Sequence, residues 1–202
     1  MEFKRVVVGP LQTNAYVLLA DGEAAVVDAG DGSPLLTGAW AGHALRYILL
    51  THGHFDHADG AELVRARTGA PILYHPDERP TFWTMGRQPP PLDQPLADGA
   101  RLPLGRDELV VWHLPGHSPG SVAFLWEKGK VAVVGDVLFA RSVGRSDLPG
   151  GSWDDLARSL ERLLSLDDDW RILPGHGPVT TIRRERERNP YLQRLRDAQP
   201  GS

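Results

Sequence analysis

The chain of 202 residues contains no cysteine. That excludes disulfides, a thiolate nucleophile and any cysteine-type zinc site, so its chemistry must rest on nitrogen and oxygen donors. It also has no apolar run approaching the roughly 20 residues that span a bilayer. Its start, Met1-Glu2-Phe3-Lys4-Arg5, lacks the apolar stretch of an export signal, which makes a cytoplasmic location the expectation. Positive charge is not in excess either. Acidic residues outnumber Lys and Arg by 26 to 22, and a formal net charge of -4 argues against nucleic acid or an anionic membrane as partner. Turn formers, by contrast, are plentiful: Gly 22 and Pro 17 point to many short elements joined by tight turns rather than a helical bundle. One domain over residues 1–202 is expected, long enough to bury a substantial core.

The densest feature is Thr51-His52-Gly53-His54-Phe55-Asp56-His57, directly after the apolar run Tyr47-Ile48-Leu49-Leu50. A strand ending in such a cluster delivers nitrogen and oxygen ligands to one point, the set preferred by zinc and similar divalent ions. The spacing is not the His-x-x-x-His of a metal-binding helix. In extended backbone His52 and His54 point the same way, whereas Asp56 and His57, past the expected bend, can face a second ion. A solvated, histidine-rich loop is the plainer reading. Against it, five of the eight histidines lie in this cluster or in two Pro-Gly-His tripeptides.

In chain order, 3–8, 14–19 and 24–28 read as short strands rich in Val, Leu and Tyr, with Asp21-Gly22 as a hairpin turn. Asp28 closes the third strand, either as a turn former or near a metal. Residues 33–44 form a weak helix candidate, with Ser33 as N-cap and Pro34 at the first position. Then come a strand over 46–50, a helix over 59–68 capped by Asp59 and ended by Gly69, and a strand over 71–74. Residues 75–99 read as an irregular, proline-dense flap whose Phe82, Trp83 and Met85 either pin it to the core or line a pocket. Strands over 108–113, 121–126 and 130–134 suggest a second sheet, with His117 in the turn between the first two and Asp136 just after the third. Residues 152–166 form the clearest amphipathic helix, with Leu156, Leu160, Leu163 and Leu164 on one stripe. A strand over 170–173 delivers Pro174-Gly175-His176-Gly177. From Thr181, alternating Arg and Glu predict an exposed helix with internal ion pairs, ending in a polar, frayed segment.

Collected, the candidate ligands are His52, His54, Asp56, His57, His117, Asp136 and His176, each at a strand end or in a Pro/Gly turn. This pattern resembles the metallo-β-lactamase superfamily over nearly the whole chain, with its His-x-His-x-Asp-His signature intact at His52, His54, Asp56 and His57. The resemblance implies an α/β fold, a four-layer αββα sandwich of two mixed sheets flanked by helices. It further implies two divalent ions, zinc by preference, with iron or manganese as options. One ion would take His52, His54 and His117, the other Asp56, His57 and His176, with Asp136 bridging.

Within the superfamily the chain looks like the short bacterial type of glyoxalase II, the hydroxyacylglutathione hydrolases. Thr13-Asn14-Ala15-Tyr16, Val27-Asp28-Ala29-Gly30, the two Pro-Gly-His turns and Gly144-Arg145-Ser146-Asp147 carry that likeness. Asn189-Pro190-Tyr191-Leu192 resembles the start of the helical C-terminal domain that holds glutathione in full-length glyoxalase II, but no such separate domain is expected here. The activity implied is hydrolysis of a small-molecule thioester, with Asp56 and Asp136 as the catalytic carboxylates. Asp28 would fix a ligand imidazole, and Arg145 would meet an anionic substrate or pair with a nearby Asp. A mononuclear iron persulfide dioxygenase using His52, His117 and Asp136 is the alternative within the same resemblance.

Overall fold

The computed structural model describes residues 1–197. The first sheet is built from β1 (Glu2–Val8), β2 (Thr13–Ala20), β3 (Glu23–Val27), β4 (Ala44–Leu49), β5 (Ile72–Tyr74) and β6 (Gln94–Pro95), in that spatial order. β1, β2 and β3 run antiparallel, then β3 to β6 run parallel. The Asp21-Gly22 turn joining β2 to β3 has positive φ at both residues (49° and 82°), the geometry that matches strand twist in a two-residue hairpin. The parallel steps are crossed by α1 (Pro34–Gly38), α2 (Phe55–Ala58), α3 (Ala61–Thr68) and α4 (Arg79–Thr84).

The second sheet takes β7 (Arg101–Leu104), β8 (Asp107–His113), β9 (Val122–Trp126) and β10 (Val131–Gly135) as an antiparallel meander. A small hairpin, β11 (Leu138–Phe139) and β12 (Ser142–Val143), and helix α5 (Trp153–Leu164) lead to β13 (Arg171–Pro174), which lies parallel to β10. β14 (Thr180–Thr181) closes the edge before α6 (Ile182–Arg188) and α7 (Pro190–Asp197).

Burial alternation explains the stacking. All eight residues of β2 are buried. Ala15, Val17 and Leu19 face the helices, while Tyr16, Leu18 and Ala20 face the other sheet. β10 repeats the pattern, with Val131 and Val133 between the sheets and Ala132 and Val134 against α5 and α6. A strand covered on both faces sits in a four-layer αββα arrangement, as expected. Leu156, Leu160 and Leu163 of α5 are fully buried in the outer layer, and Leu164, the fourth residue of the stripe read from sequence, packs half-buried against them.

Several local expectations are corrected. Ser33 caps α1 through its Oγ, with Pro34 first, but the helix stops at Gly38 because the chain must turn into β4. The helix expected from Asp59 is two helices: Asp59 ends α2, and α3 starts after Gly60. Gly60 donates its N–H to Gly30 O, and a Cβ there would fall 2.2 Å from Gly32 N, so the chain breaks where two backbones touch. The flap holds a 3-10 turn over Pro76–Glu78 running into α4. Its apolar side chains divide the two roles: Phe82 is buried edge-on against Tyr74, Trp83 is exposed, and Met85 lines a cleft.

The tail is only in part the solvated Arg/Glu face expected: Arg183, Arg184, Glu187 and Arg188 of α6 are exposed, but the inner face is not. Ile182, Glu185 and Leu192 are buried, and Arg183 and Arg186 pair with Asp168 outside the helix rather than with its glutamates. The frayed end expected at 198–202 lies outside the described residues. No helix among the described residues is long and apolar enough to cross a membrane.

Candidate metal centre

Both sheets contribute to one end of the sandwich. After β4, Leu50 and Thr51 lead to His52 and His54. His54 is in extended backbone (φ -69°, ψ 143°) and sits at the N-terminus of α2, which turns Asp56 and His57 toward the second sheet. From that sheet come His117 in the β8–β9 loop, Asp136 just past β10 and His176 just past β13. The loops are fastened by residues of the Thr13-Asn14-Ala15-Tyr16 stretch. Asn14 Nδ2 donates to Pro174 O and Gly177 O (2.8 and 2.9 Å), Tyr16 OH donates to Pro174 O (2.8 Å), and Thr13 Oγ1 donates to Asp56 Oδ2 (2.7 Å). Gly175 has no room for a side chain: a Cβ would lie 2.1 Å from Asp136 Oδ1 and 2.6 Å from His57 Cε1.

All seven candidate ligands named from sequence converge. His52 Nε2 and His117 Nε2 lie 3.1 and 3.0 Å from His54 Nδ1, with the three rings edge-on to one another. Asp56 Oδ2 lies 3.4 Å from His57 Nε2 and 3.2 Å from His176 Nε2. Asp136 reaches both groups, with Oδ1 3.5 Å from His57 Nε2 and Oδ2 3.6 Å from His176 Nε2 and 3.8 Å from His117 Nε2. Ligand bonds of about 2.0–2.2 Å in tetrahedral geometry separate neighbouring donor atoms by about 3.3–3.6 Å, so these edges suit divalent ions. His75 and His113 also approach one another, but they stack face to face (4.1 Å, 6°), so their lone pairs run parallel instead of meeting.

The hydrogen-bond network points the lone pairs inward. His117 Nδ1 faces the carbonyl of Arg145 at 2.7 Å, which can only accept, so Nε2 is left unprotonated in the neutral ring. His57 Nδ1 donates to Asp28 Oδ2 (2.9 Å). Thr51 Oγ1 donates to the same carboxylate (2.7 Å) and thereby accepts from His52 Nδ1 (3.0 Å). Asp28 thus orients one imidazole directly and another through a hydroxyl. It is buried, held in left-handed backbone (φ 57°) and accepts a third hydrogen bond from Thr51 N. Meanwhile His54 Nε2, His57 Nε2 and Asp136 Oδ1 are buried with no hydrogen-bond partner. Orphaned buried donors and acceptors cost free energy unless something binds them, and the two on His57 and Asp136 face one another where a cation fits.

Charge divides the centre. Burial, then the neighbouring imidazoles, drives His52 well below the ordinary histidine range and His54 down to about 3. Burial would also lower His57, but Asp136 and Asp28 outweigh it and push the ring up to about 9. The Asp56 hydrogen bond raises His176. Burial alone would raise Asp56, yet His176, the charge on His57 and the Thr13 hydroxyl hold it below the carboxylate range. One half therefore offers neutral imidazoles and the other a negative potential, both suited to a divalent cation.

Two residues depart from a simple set of ligands. Arg145 turns its exposed guanidinium to Asp147 (2.9 and 3.0 Å), the ion-pair option; its contribution to the centre is its carbonyl. Glu78, unnoticed in sequence, is fully buried and ties the two ligand loops together. It accepts from Gly53 N (2.7 Å) between His52 and His54, and from Ser118 Oγ (2.5 Å) and Gly120 N (2.7 Å) beside His117. A glutamate in a proline-rich flap carries no local sign of this.

The centre floors a cleft of about 610 Å³ whose walls are Leu11, Phe55, Met85, Phe139, Val143 and Leu148. The family model for the metallo-beta-lactamase superfamily matches residues 8–176. Among curated relatives, a probable metallo-hydrolase, YqgX of Bacillus subtilis, is 33% identical over 95% of this chain and 98% of its own length. The hydroxyacylglutathione hydrolase GloC of Haemophilus influenzae is 37% identical over 73% of this chain and 76% of its own. Among solved structures, the B3 metallo-beta-lactamase BLEG-1 superposes with a TM-score of 0.88 at 37% identity, covering 95% of this chain and 99% of that one. TTHA1623, solved in a di-iron-bound form, gives 0.85 at 40% identity over 94% and 100% of the two chains. With the model matched across both ligand-bearing sheets, the chain belongs to the metallo-beta-lactamase superfamily.

Proposed function

We propose that this chain hydrolyses small thioesters with two divalent cations, zinc in the simplest case. The observation that carries the proposal is the double donor set, His52, His54 and His117 beside Asp56, His57 and His176, with Asp136 reaching both at the floor of an open cleft. When bound, such a pair of cations supplies hydroxide at neutral pH and polarises the substrate carbonyl. The GloC likeness points to the same reaction type.

The chain's own residues orient the reactants and hold the protons. Asp56, held ionised and fixed by Thr13, orients the attacking water by accepting its hydrogen bond; so acidic a carboxyl is a poor store for a proton. Asp28 and the Arg145 carbonyl keep His57 and His117 in the tautomer whose Nε2 faces inward. The apolar walls shelter the acyl group. Apart from the candidate ligands, the only titratable side chain among the described lining residues is Arg145, which is paired. No spare acid stands ready to protonate a leaving group. A thiol with a pKa of about 8.5 departs readily as thiolate, whereas an amine requires a proton, so the lining favours thioesters over amides and lactams.

Metal-replete protein incubated with S-lactoylglutathione and a panel of simpler acyl thiols should release thiol, read with a thiol reagent that finds no background on a chain lacking cysteine. Absence of thiol release across the panel would reject the reading. Sulfide-dependent oxygen uptake in its place would favour the iron persulfide dioxygenase, which uses only His52, His117 and Asp136 and leaves the Asp56–His176 contact without a purpose.

A further inference from the structure

Most exposed cations on this net-acidic chain have a carboxylate partner. Arg65, Arg87, Arg106, Lys130, Arg158 and Arg162 each hold one within 3.1 Å. The cleft near the N-terminus is also charged, but its Arg106 and Lys128 are paired with Asp21 and Asp107. Several cations lack such a partner, and three arginines among them meet in one place. Arg141, Arg184 and Arg188 line a cleft of about 390 Å³, and none of the three has an ion-pair partner among the described residues. Arg183 and Arg186, on the same helix but facing elsewhere, both pair with Asp168.

The arrangement is built rather than incidental. Arg184 and Arg188 are four residues apart on α6 and so share a face, although like charges at that spacing work against a helix. Arg141 approaches from the tip of the β11–β12 hairpin, in left-handed backbone (φ 65°), and its N–H is fixed on Glu185 Oε2 at 2.7 Å. Glu185, the one acid in the cleft, is already engaged: it also accepts from Thr180 Oγ1 (2.5 Å) and Asn189 Nδ2 (2.9 Å). Three guanidiniums against one committed carboxylate leave an excess of positive charge, and their planar forks match the oxygens of phosphate.

We propose that this cleft binds a phosphorylated ligand. The β11–β12 hairpin is the partition between it and the metal centre: Phe139 and Ser142 line the catalytic cleft, Ala140 and Arg141 the arginine cleft. His176 likewise faces the first and Pro178 the second. A thioester on a phosphate-bearing carrier thiol can seat its acyl group in one and its phosphate in the other, a source that rests on the thioesterase reading. A free phosphorylated molecule is the second source of the same chemistry.

The test compares metal-loaded parent protein with the Arg184→Ala/Arg188→Ala double variant, both positions being exposed and a thermal melt confirming the fold. Adenosine 3′,5′-bisphosphate titrated by calorimetry should bind the parent and bind the variant at least about tenfold more weakly, with the parent's affinity falling as salt rises. Equal affinity within twofold overturns the proposal. The source is read from two thioesters of one acyl group, on coenzyme A and on N-acetylcysteamine. A KM that rises about tenfold in the variant for the first alone identifies the carrier; unchanged KM values for both, with bisphosphate binding lost, identify a free ligand. A rise for both alike means the arginines serve the catalytic cleft and overturns the proposal. If neither thioester is cleaved, and no acyl thiol of the earlier panel either, the thioesterase reading fails while the calorimetric result stands. Cleavage of others but of neither of these two excludes the carrier and leaves the free ligand.

Discussion

Replacing Glu78 with glutamine keeps the shape of the side chain and removes one acceptor. Oε2 accepts from Gly53 N and Oε1 from Gly120 N and Ser118 Oγ. An amide has a single oxygen. Ser118 can rotate its hydroxyl to accept from the new NH2, but the two backbone N–H groups cannot reverse. Whichever way the amide turns, one buried N–H, at Gly53 or at Gly120, faces a donor. An orphaned buried donor costs about 1–3 kcal/mol, partly offset because a neutral amide is cheaper to bury than a carboxylate, whose pKa burial here raises. A net loss of about 2 kcal/mol lowers the melting temperature of a chain this size by about 4–8 °C. The damage falls between His52 and His54 or beside His117, so zinc affinity, measured by chelator competition, should weaken by about tenfold as well. Glu78→Ala, which leaves both backbone donors unmet while Ser118 Oγ can still turn to Ser121 Oγ (2.6 Å), should be worse on both counts. A Glu78→Gln protein whose metal-free melt and zinc affinity both match the parent would refute the claim that this carboxylate holds the two loops in register.

Asp28→Asn should weaken metal binding by about 10–100-fold while the fold persists, because an amide can donate to His57 Nδ1 and move that ring's proton to Nε2; competition with a chelator reads it. Tyr16→Phe should cost about 1 kcal/mol, or 2–4 °C of melting temperature, since Asn14 still satisfies the Pro174 carbonyl. The metal-free protein should be most stable near pH 6.5. Below the unfolded histidine pKa of about 6.5, the unfolded chain binds more protons than the folded one, because His52 and His54 resist protonation, so stability falls as pH drops. Above it the folded chain binds more, because His57 holds its proton up to about 9, so that stability is lost as pH rises from 6.5 toward 9. Thermal melts from pH 5 to 9 with chelator present, showing no alkaline decline, would contradict the assignment of Asp28 and Asp136 as the groups that charge His57.

What could be read from the sequence was what is contiguous or periodic. His52, His54, Asp56 and His57 stand within six residues, and the Leu156, Leu160 and Leu163 stripe announces its helix at the 3.6-residue period. His117, Asp136 and His176 were legible because Pro-Gly turns and strand ends frame them. Glu78 was not, since its partners lie at Gly53, Ser118 and Gly120 and no local pattern joins them. The break at Gly60 was equally hidden: 59–68 has a helix's composition, and only contact with the Gly30–Gly32 backbone interrupts it. The tail misled for a related reason. Its Arg/Glu alternation looks solvated until α6 is laid on the outer layer, where Ile182 and Glu185 turn inward.

The donors divide unevenly along the chain, four following β4 and three following strands of the second sheet. Each candidate donor set draws on both sides of the seam between the sheets, His117 completing one and His176 the other. During synthesis, then, the set of His52, His54 and His117 can close once the β8–β9 loop has docked against the first sheet, whereas the set of Asp56, His57 and His176 waits until β13 lies beside β10. An ion held by either set would cross-link the halves, so its release and the parting of the sheets should proceed at one shared rate.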